Sequence, residues 1–353
     1  MTTPSRPAGS SPSVSTMLLI AIFLILFTAA LRLGAGLLLP IAVAALFTLL
    51  LDPAVRALRR LGLPTGVGAA LVVFGTLGAL VGGGSLLAGP AAEWVEAAPK
   101  TMEQIQRKVR RLLRPIQRTA EQVDRAAESA VQEDTPTVQL KAPGLLQRVT
   151  GSTVNFVATA ITVVFLTYFL LATLPVFRRK LAHLIGSRAG ARSMEEVLTE
   201  IEVQMSRYVM INTLTSLGVG LAVWAFLAVV GLPNALLWGV VAFLLNFIPY
   251  AGAFVTVVLV GAAALVSFES TGQVLLVMGG CVSINLIEGN FVTPHLLGKH
   301  LPLNPVAIFL SLLYWGWVWG PAGALLAVPI TVMLQVLFSR IEALRPVAIM
   351  LDS

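Results

Sequence analysis

Charge is what this chain has least of. Asp, Glu, Lys and Arg supply 12% of its 353 residues, against roughly 25% in a soluble domain. A single cysteine, Cys281, excludes an intrachain disulfide, and its place in an apolar run says nothing about redox compartment. With three histidines and no clustered Cys/His spacing, nothing reads as a metal site. No Walker-type loop, HExxH or GxSxG sequence occurs, which removes an ATP-driven motor and the common hydrolase designs. No catalytic set is visible, so an enzyme is not expected, and neither is a cofactor.

What is present is apolar. Hydrophobic residues make up 57% of the chain, and the mean hydropathy is +0.87. Several long apolar runs predict an all-α polytopic membrane protein of eight or more apolar helical segments. A β-barrel would show alternating segments of about ten residues instead. The net charge of +7 invites a nucleic-acid reading. Much of that excess flanks apolar runs, however, where it sets topology, so no nucleic-acid partner is expected and the lipid bilayer is.

The polar punctuation divides the chain. Residues 1–16, rich in Ser, Pro and Thr, read as disordered. Residues 17–90 read as three spans: Met17–Leu31 (uncleaved), Ala35–Leu51, and Thr65–Ala88 with a packing or bending point at Gly82-Gly83-Gly84. Residues 91–150 are the one large polar region. Within them Met102, Ile105, Val109, Leu112, Ile116, Ala120 and Val123 recur at gaps of mainly three and four, and the stripe continues to Val131. That is an amphipathic helix, bent or split at Pro115, for a membrane surface or a neighbouring subunit; 135–144 reads as a loop. Residues 151–206 hold a fourth span, about 154–174, and a cytoplasmic helix capped at Ser193 with Glu195 and Glu196 in its first turn. Residues 207–338 form the core, beginning with a fifth span, and 339–353 a cytoplasmic tail. Arg56, Arg59, Arg60, Arg178, Arg179, Lys180, Lys299 and Arg340 are expected inside, which places both termini in the cytoplasm.

The core is broken twice at matching places, at Asn246–Gly252 (NFIPYAG) and at Gly320–Gly323 (GPAG). Each break follows a span and an apolar helix and precedes another, as a re-entrant hairpin or two full spans. Each unit crosses an odd number of times, so the second is expected to be inverted. Interrupted apolar segments in corresponding halves point to a transporter's binding site. Pro249 removes a backbone donor, and Gly252 turns without a Cβ penalty. Asn246 and Tyr250 complete the first break; its plain alternative is an interfacial turn between two spans. Asn285 and Glu288 lie three apart on one helix face, with Asn290, Pro294 and His295 just beyond. An intramembrane carboxylate is a functional candidate for binding a cation, shuttling a proton or holding a polyol. A charge at a span end is the bland alternative. Tyr314, Trp315, Trp317 and Trp319 read as an interfacial belt or a stacking wall.

The strings NFIPYAGAFVTVV and NLIEGNFVTPHLLGKHLPLNPVAIFLSLLYWGWVWGPAGALLAVPI resemble the carboxy-terminal signature of the autoinducer-2 exporter family (AI-2E). In the amino-terminal half LLDPAVRALRRLGLP between the second and third spans extends the resemblance to most of the chain. It implies a bacterial inner-membrane permease of about eight transmembrane helices in a homo-oligomer. It also implies either export of an autoinducer-2-like small polar molecule or sodium/proton exchange. The family's FIPY-G element falls on Phe247–Gly252 and its IE-N…P element on Ile287, Glu288, Asn290 and Pro294. Its late G-P-G…P element falls on Gly320, Gly323 and Pro329. Family members often carry proline where Ala253 stands here. The expected function is transport of a small polar solute by alternating access. A cation/proton antiporter using Glu288 is the alternative, and a non-transporting scaffold working through the 91–150 helix is the third reading.

Overall fold

The computed structural model describes residues 14–124, 157–173, 188–297 and 304–351. The described residues are all-helical, without strands. Among them six helices are long and apolar enough to cross a membrane, and three shorter apolar helices accompany these.

Helices α1 (Val14–Leu33) and α2 (Ala35–Arg60) are two adjacent spans. Most of the 1–16 segment lies outside the described residues, but Val14 to Thr16 already belong to α1. No residue of α1 is buried, which suits a helix whose solvent is lipid. Helix α3 runs unbroken from Thr65 to Asp124. The apolar part long enough to span ends at Trp94, close to the expected Ala88, but the helix continues through it, and Pro115 does not split it. Proline removes one ladder bond, a loss that the turns on either side tolerate in a helix this long. A Cβ at Gly82, Gly83 or Gly84 would meet nothing within 4 Å, so these glycines pack against no neighbour. The 125–131 end of the heptad stripe and the 135–144 loop lie outside the described residues, as does most of the 178–192 basic stretch.

Helix α4 (Val157–Thr173) packs with α2 and α3 around Val55, Ala69, Val73 and Leu171. Helix α5 (Arg188–Val230) is one 43-residue rod. The expected cytoplasmic helix and fifth span are continuous, and Ser193 is interior rather than a cap. Its first part carries acids that meet basic residues of two other helices. Glu202 lies 3.7 Å from Arg56, itself paired with Asp52 at 2.5 Å. Glu200 pairs with Arg340. The basic end of α2 and the end of the last long helix thus share one end of the molecule.

At its other end α5 closes in a Schellman turn. Gly231 is left-handed at φ 81, and the Leu232 N–H reaches the Leu227 carbonyl at 3.0 Å. Helices α6 (Ala235–Leu245), α7 (Ala251–Ser267) and α8 (Thr271–Ile287) follow. They enclose the main core with α5: Val223 and Leu227 against Trp238, Ala242, Val260, Ala264, Val277 and Cys281. Two glycines let α5 and α6 cross with backbones nearly touching. A Cβ on Gly220 would lie 2.9 Å from the Gly239 carbonyl oxygen, and one on Gly239 would lie 2.8 Å from that of Gly220. Small residues are the usual means of close helix approach in membranes. A π-helical turn (Glu288–Val292) and α9 (Thr293–Leu297) extend α8. Then come α10 (Pro305–Arg340), broken at Gly320, and the terminal α11 (Arg345–Leu351).

Candidate functional site

The first break is a tight reversal between α6 and α7. Ile248 N–H bonds the Leu245 carbonyl at 2.9 Å, so that carbonyl is not left open by the missing donor of Pro249. Tyr250 sits at φ 59, ψ −53, and the N–H of Ala251 reaches the carbonyl of Pro249 at 2.6 Å. This is the rare form of γ-turn, strained for any residue with a side chain. The turn folds the start of α7 back over the end of α6. A Cβ on Gly252 would fall 1.8 Å from the Leu245 carbonyl oxygen, so only glycine fits. Asn246 donates from Nδ2 to Ser216 Oγ on α5 at 3.2 Å, and Ser216 is fully buried. Tyr250 itself is exposed.

The second break repeats the device. Gly320 takes φ 66, ψ −149, a conformation reserved for glycine. Limb 321–340 folds back on limb 305–319. Thr331 Oγ1 donates to Ser311 Oγ at 2.6 Å, and Ser311 Oγ to the Ala327 carbonyl at 3.1 Å. A Cβ on Gly323 would lie 2.0 Å from the Trp315 carbonyl oxygen. In both hairpins a residue at positive φ is followed by a glycine whose missing side chain admits a carbonyl of the preceding limb. At about 1.5 Å per residue, α6 is roughly 16 Å long, too short for a hydrocarbon core of about 30 Å. The first broken pair is therefore a re-entrant hairpin and not two spans.

The hairpins approach α5 from opposite ends. The first leaves its C-terminal end at Leu232, crosses it at Gly220, and puts its tip on Ser216. The second is anchored at the N-terminal end through Arg340 and Glu200, and its Val328 and Val332 pack on Met205 and Tyr208. The two do not pack on one another among the described residues; α5 is the element they share.

Glu288 opens the π-helical turn and accepts a hydrogen bond from Thr293 Oγ1. The wide turn comes from the N–H of Thr293 reaching the carbonyl of Glu288. A π-turn is one way to seat the ring of a following proline, here Pro294, and such turns recur at functional sites. The turn and α9 pack on α5. Asn285 does not bond Glu288: its Nδ2 donates to the Cys281 carbonyl at 2.8 Å. Asn290 donates to Leu286 and His295 lies 2.6 Å from the Phe291 carbonyl, both within their own helix. Asn246, Pro249, Tyr250 and Gly252 thus form one group with Ser216. Asn285, Glu288, Asn290 and Pro294 form a second along α8–α9, and Gly320 and Gly323 a third on the far hairpin. Ser216 and the Gly220–Gly239 crossing were not read from the sequence. The Ser-x-x-x-Gly spacing at 216–220 was the available signal. No cluster of metal-ligating side chains occurs among the described residues.

The aromatic run divides by face. Trp315 is buried and stacks near Trp319, with centroids 4.9 Å apart. Trp319 donates from Nε1 to the Leu31 carbonyl at 2.9 Å, satisfying a carbonyl that the end of α1 leaves unpaired. Trp317 is exposed beneath Arg32, 5.0 Å from guanidinium to ring centroid.

Broken hairpins opposed across a shared helix, in a multi-pass all-helical chain, are the architecture of a membrane transporter. The comparisons agree: residues 20–343 match the AI-2E family transporter, and the chain belongs to that family. It is 28% identical to the putative transport protein YhhT of Escherichia coli over 93% of this chain and 91% of that one. It is 36% identical to the AI-2 transport protein TqsA of the same organism, over 42% of this chain and 43% of that one. A putative transport protein of Haemophilus influenzae is 33% identical over 51% of this chain and 52% of its own length.

Proposed function

We propose that this chain is an inner-membrane secondary transporter that moves a small polar solute, of the autoinducer-2 kind, by alternating access. The observation that carries the reading is the opposed pair of hairpins on α5, each closed at its tip by a glycine against a carbonyl. Two such elements, one from each end of the same helix, supply two related gates around a common axis. In this reading Asn246, held by the buried Ser216, presents the polar group at the first tip. Glu288 lines the path from the π-turn, and both termini and the Arg56–Arg340 end face the cytoplasm. The similarity to a protein named for AI-2 transport supports the solute class. A homo-oligomer is part of the same proposal.

Among the described residues the Glu288 carboxylate has one hydrogen-bond partner, Thr293, which favours a second reading in which it exchanges sodium for protons. Proteoliposomes with an internal pH dye, given sodium and autoinducer-2 in parallel, separate the two. The exporter reading expects solute flux without obligatory proton movement, retained in part by Glu288→Gln. Sodium-dependent proton movement that disappears in Glu288→Gln would replace it with the antiporter.

A further inference from the structure

The seam between α1 and the second hairpin is built unlike the rest of the molecule. No residue of α1 is buried. Among the described residues α1 meets α10 besides α2, and it does so through three specific contacts. Tyr314 OH lies 2.8 Å from Thr28 Oγ1, Trp319 bonds the Leu31 carbonyl, and Arg32 stands over Trp317. Thr28 spends its own proton on the Leu24 carbonyl at 2.8 Å, so the phenol is the donor of its pair. At this seam the Tyr314 hydroxyl and the Trp319 N–H thus have polar partners on α1, whereas Arg32 meets only a ring face. The Arg32 guanidinium is exposed, and among the described residues no carboxylate pairs with it.

Below that cation lies an apolar cleft of about 460 Å³, lined by Leu24, Ile25, Ala29 and Trp317 among others. Depth follows from length. Helix α1 rises roughly 30 Å at 1.5 Å per residue, the thickness of a hydrocarbon core, and Arg32 is its next-to-last residue. The cation therefore stands at headgroup level, beside tryptophan and tyrosine as in an aromatic belt, with the cleft running toward the acyl chains.

We propose that this seam binds one bilayer phospholipid, with its phosphate on Arg32 and an acyl chain in the cleft beneath. A guanidinium forks two donors onto a phosphate, and the apolar walls exclude a fully hydrated anion. The bound lipid fastens α1 to the tip of the second hairpin, next to the Gly320 break. This holds whatever solute the protein carries.

The test is native mass spectrometry of the delipidated full chain, titrated with phosphatidylglycerol, with diacylglycerol lacking phosphate, and with inorganic phosphate as competitor. One phosphatidylglycerol adduct is expected to bind before the rest. Arg32→Gln should weaken it by about tenfold or more, from the loss of charge-assisted hydrogen bonding to the phosphate, and Arg32→Lys should restore part. Ala29→Trp, which fills the cleft and leaves the cation in place, should remove it, while diacylglycerol binds weakly. Unchanged affinity in Arg32→Gln or Ala29→Trp overturns the proposal. So does full competition by inorganic phosphate, which marks a free-anion site, or occupation of the seam by a second copy. Melting curves of each variant show that a lost adduct is not a lost fold.

Discussion

The carbonyl oxygen of Leu245 occupies the space a side chain on Gly252 would need, 1.8 Å from its ideal Cβ. Trp315 and Gly323 stand in the same relationship at 2.0 Å. Both obstacles are backbone, which cannot rotate aside as a side-chain end can. Gly252→Ala and Gly323→Ala should each destabilise by about 3 kcal/mol or more, the upper range for overpacking, and abolish transport. Gly279→Ala is the control, because a Cβ there meets nothing within 4 Å. It should be neutral or stabilising by up to about 1 kcal/mol, the helix preference of Ala over Gly. Thermal unfolding in detergent compares the three.

Tyr250 holds a strained γ-turn with its ring exposed. Tyr250→Gly should relieve about 1 kcal/mol or more of backbone strain and raise the melting temperature. Flux measured in the same preparation tells whether that strain is used: a more stable but slower transporter would mean that the turn is a working part. Equal flux would mean that it is only a corner.

Ser216→Ala leaves the Asn246 amide facing a buried methyl, and should cost about 1 kcal/mol, the net worth of such a hydrogen bond. The pair Ser216→Ala with Asn246→Ala should cost less than the sum of the single changes. That shortfall is the signature of a direct contact in a double-mutant cycle. A strictly additive result would mean that the 3.2 Å bond does not hold the tip.

Glu200 and Arg340 share one end of the molecule with Arg56, while the α1–α2 turn lies at the other. In a Cys281→Ala background, Glu200→Cys and Arg340→Cys should resist a membrane-impermeant maleimide in intact cells and react after permeabilisation. Gly36→Cys, at a position with open space around it, should react in both. The opposite pattern would invert the proposed orientation.

The breaks were legible because their cause is local: Pro249 with Gly252, and Gly320 with Pro321, leave the helix no way through. The spans were legible from their apolar length alone. Continuity was not. Proline at 115 suggested a break in α3 that the helix does not have, the polar shift after Ala88 marked the end of the apolar span but not of the helix, and Ser193 looks like a cap because caps are recognised by residue type while helix propagation is cooperative. Contacts between distant segments left weaker traces. Nothing near Asn246 announces Ser216, and the nearness of Asn285 to Glu288 in sequence hid that Asn285 turns back to its own helix. The π-turn at Glu288 depends on one displaced hydrogen bond, which Pro294 permits but does not announce.

The shortness of α6 has a consequence for how the protein is made. A helix of roughly 16 Å ending in an irregular tip cannot rest alone in hydrocarbon, where every backbone polar group needs a partner. What shelters it is α5, through the Gly220–Gly239 crossing and the Ser216–Asn246 bond. The insertion machinery therefore has no separate segment to release there. Helices α5, α6 and α7 must leave it as one preassembled unit, and a change that loosens the glycine crossing would show first as failed biogenesis, before any defect in transport could be measured.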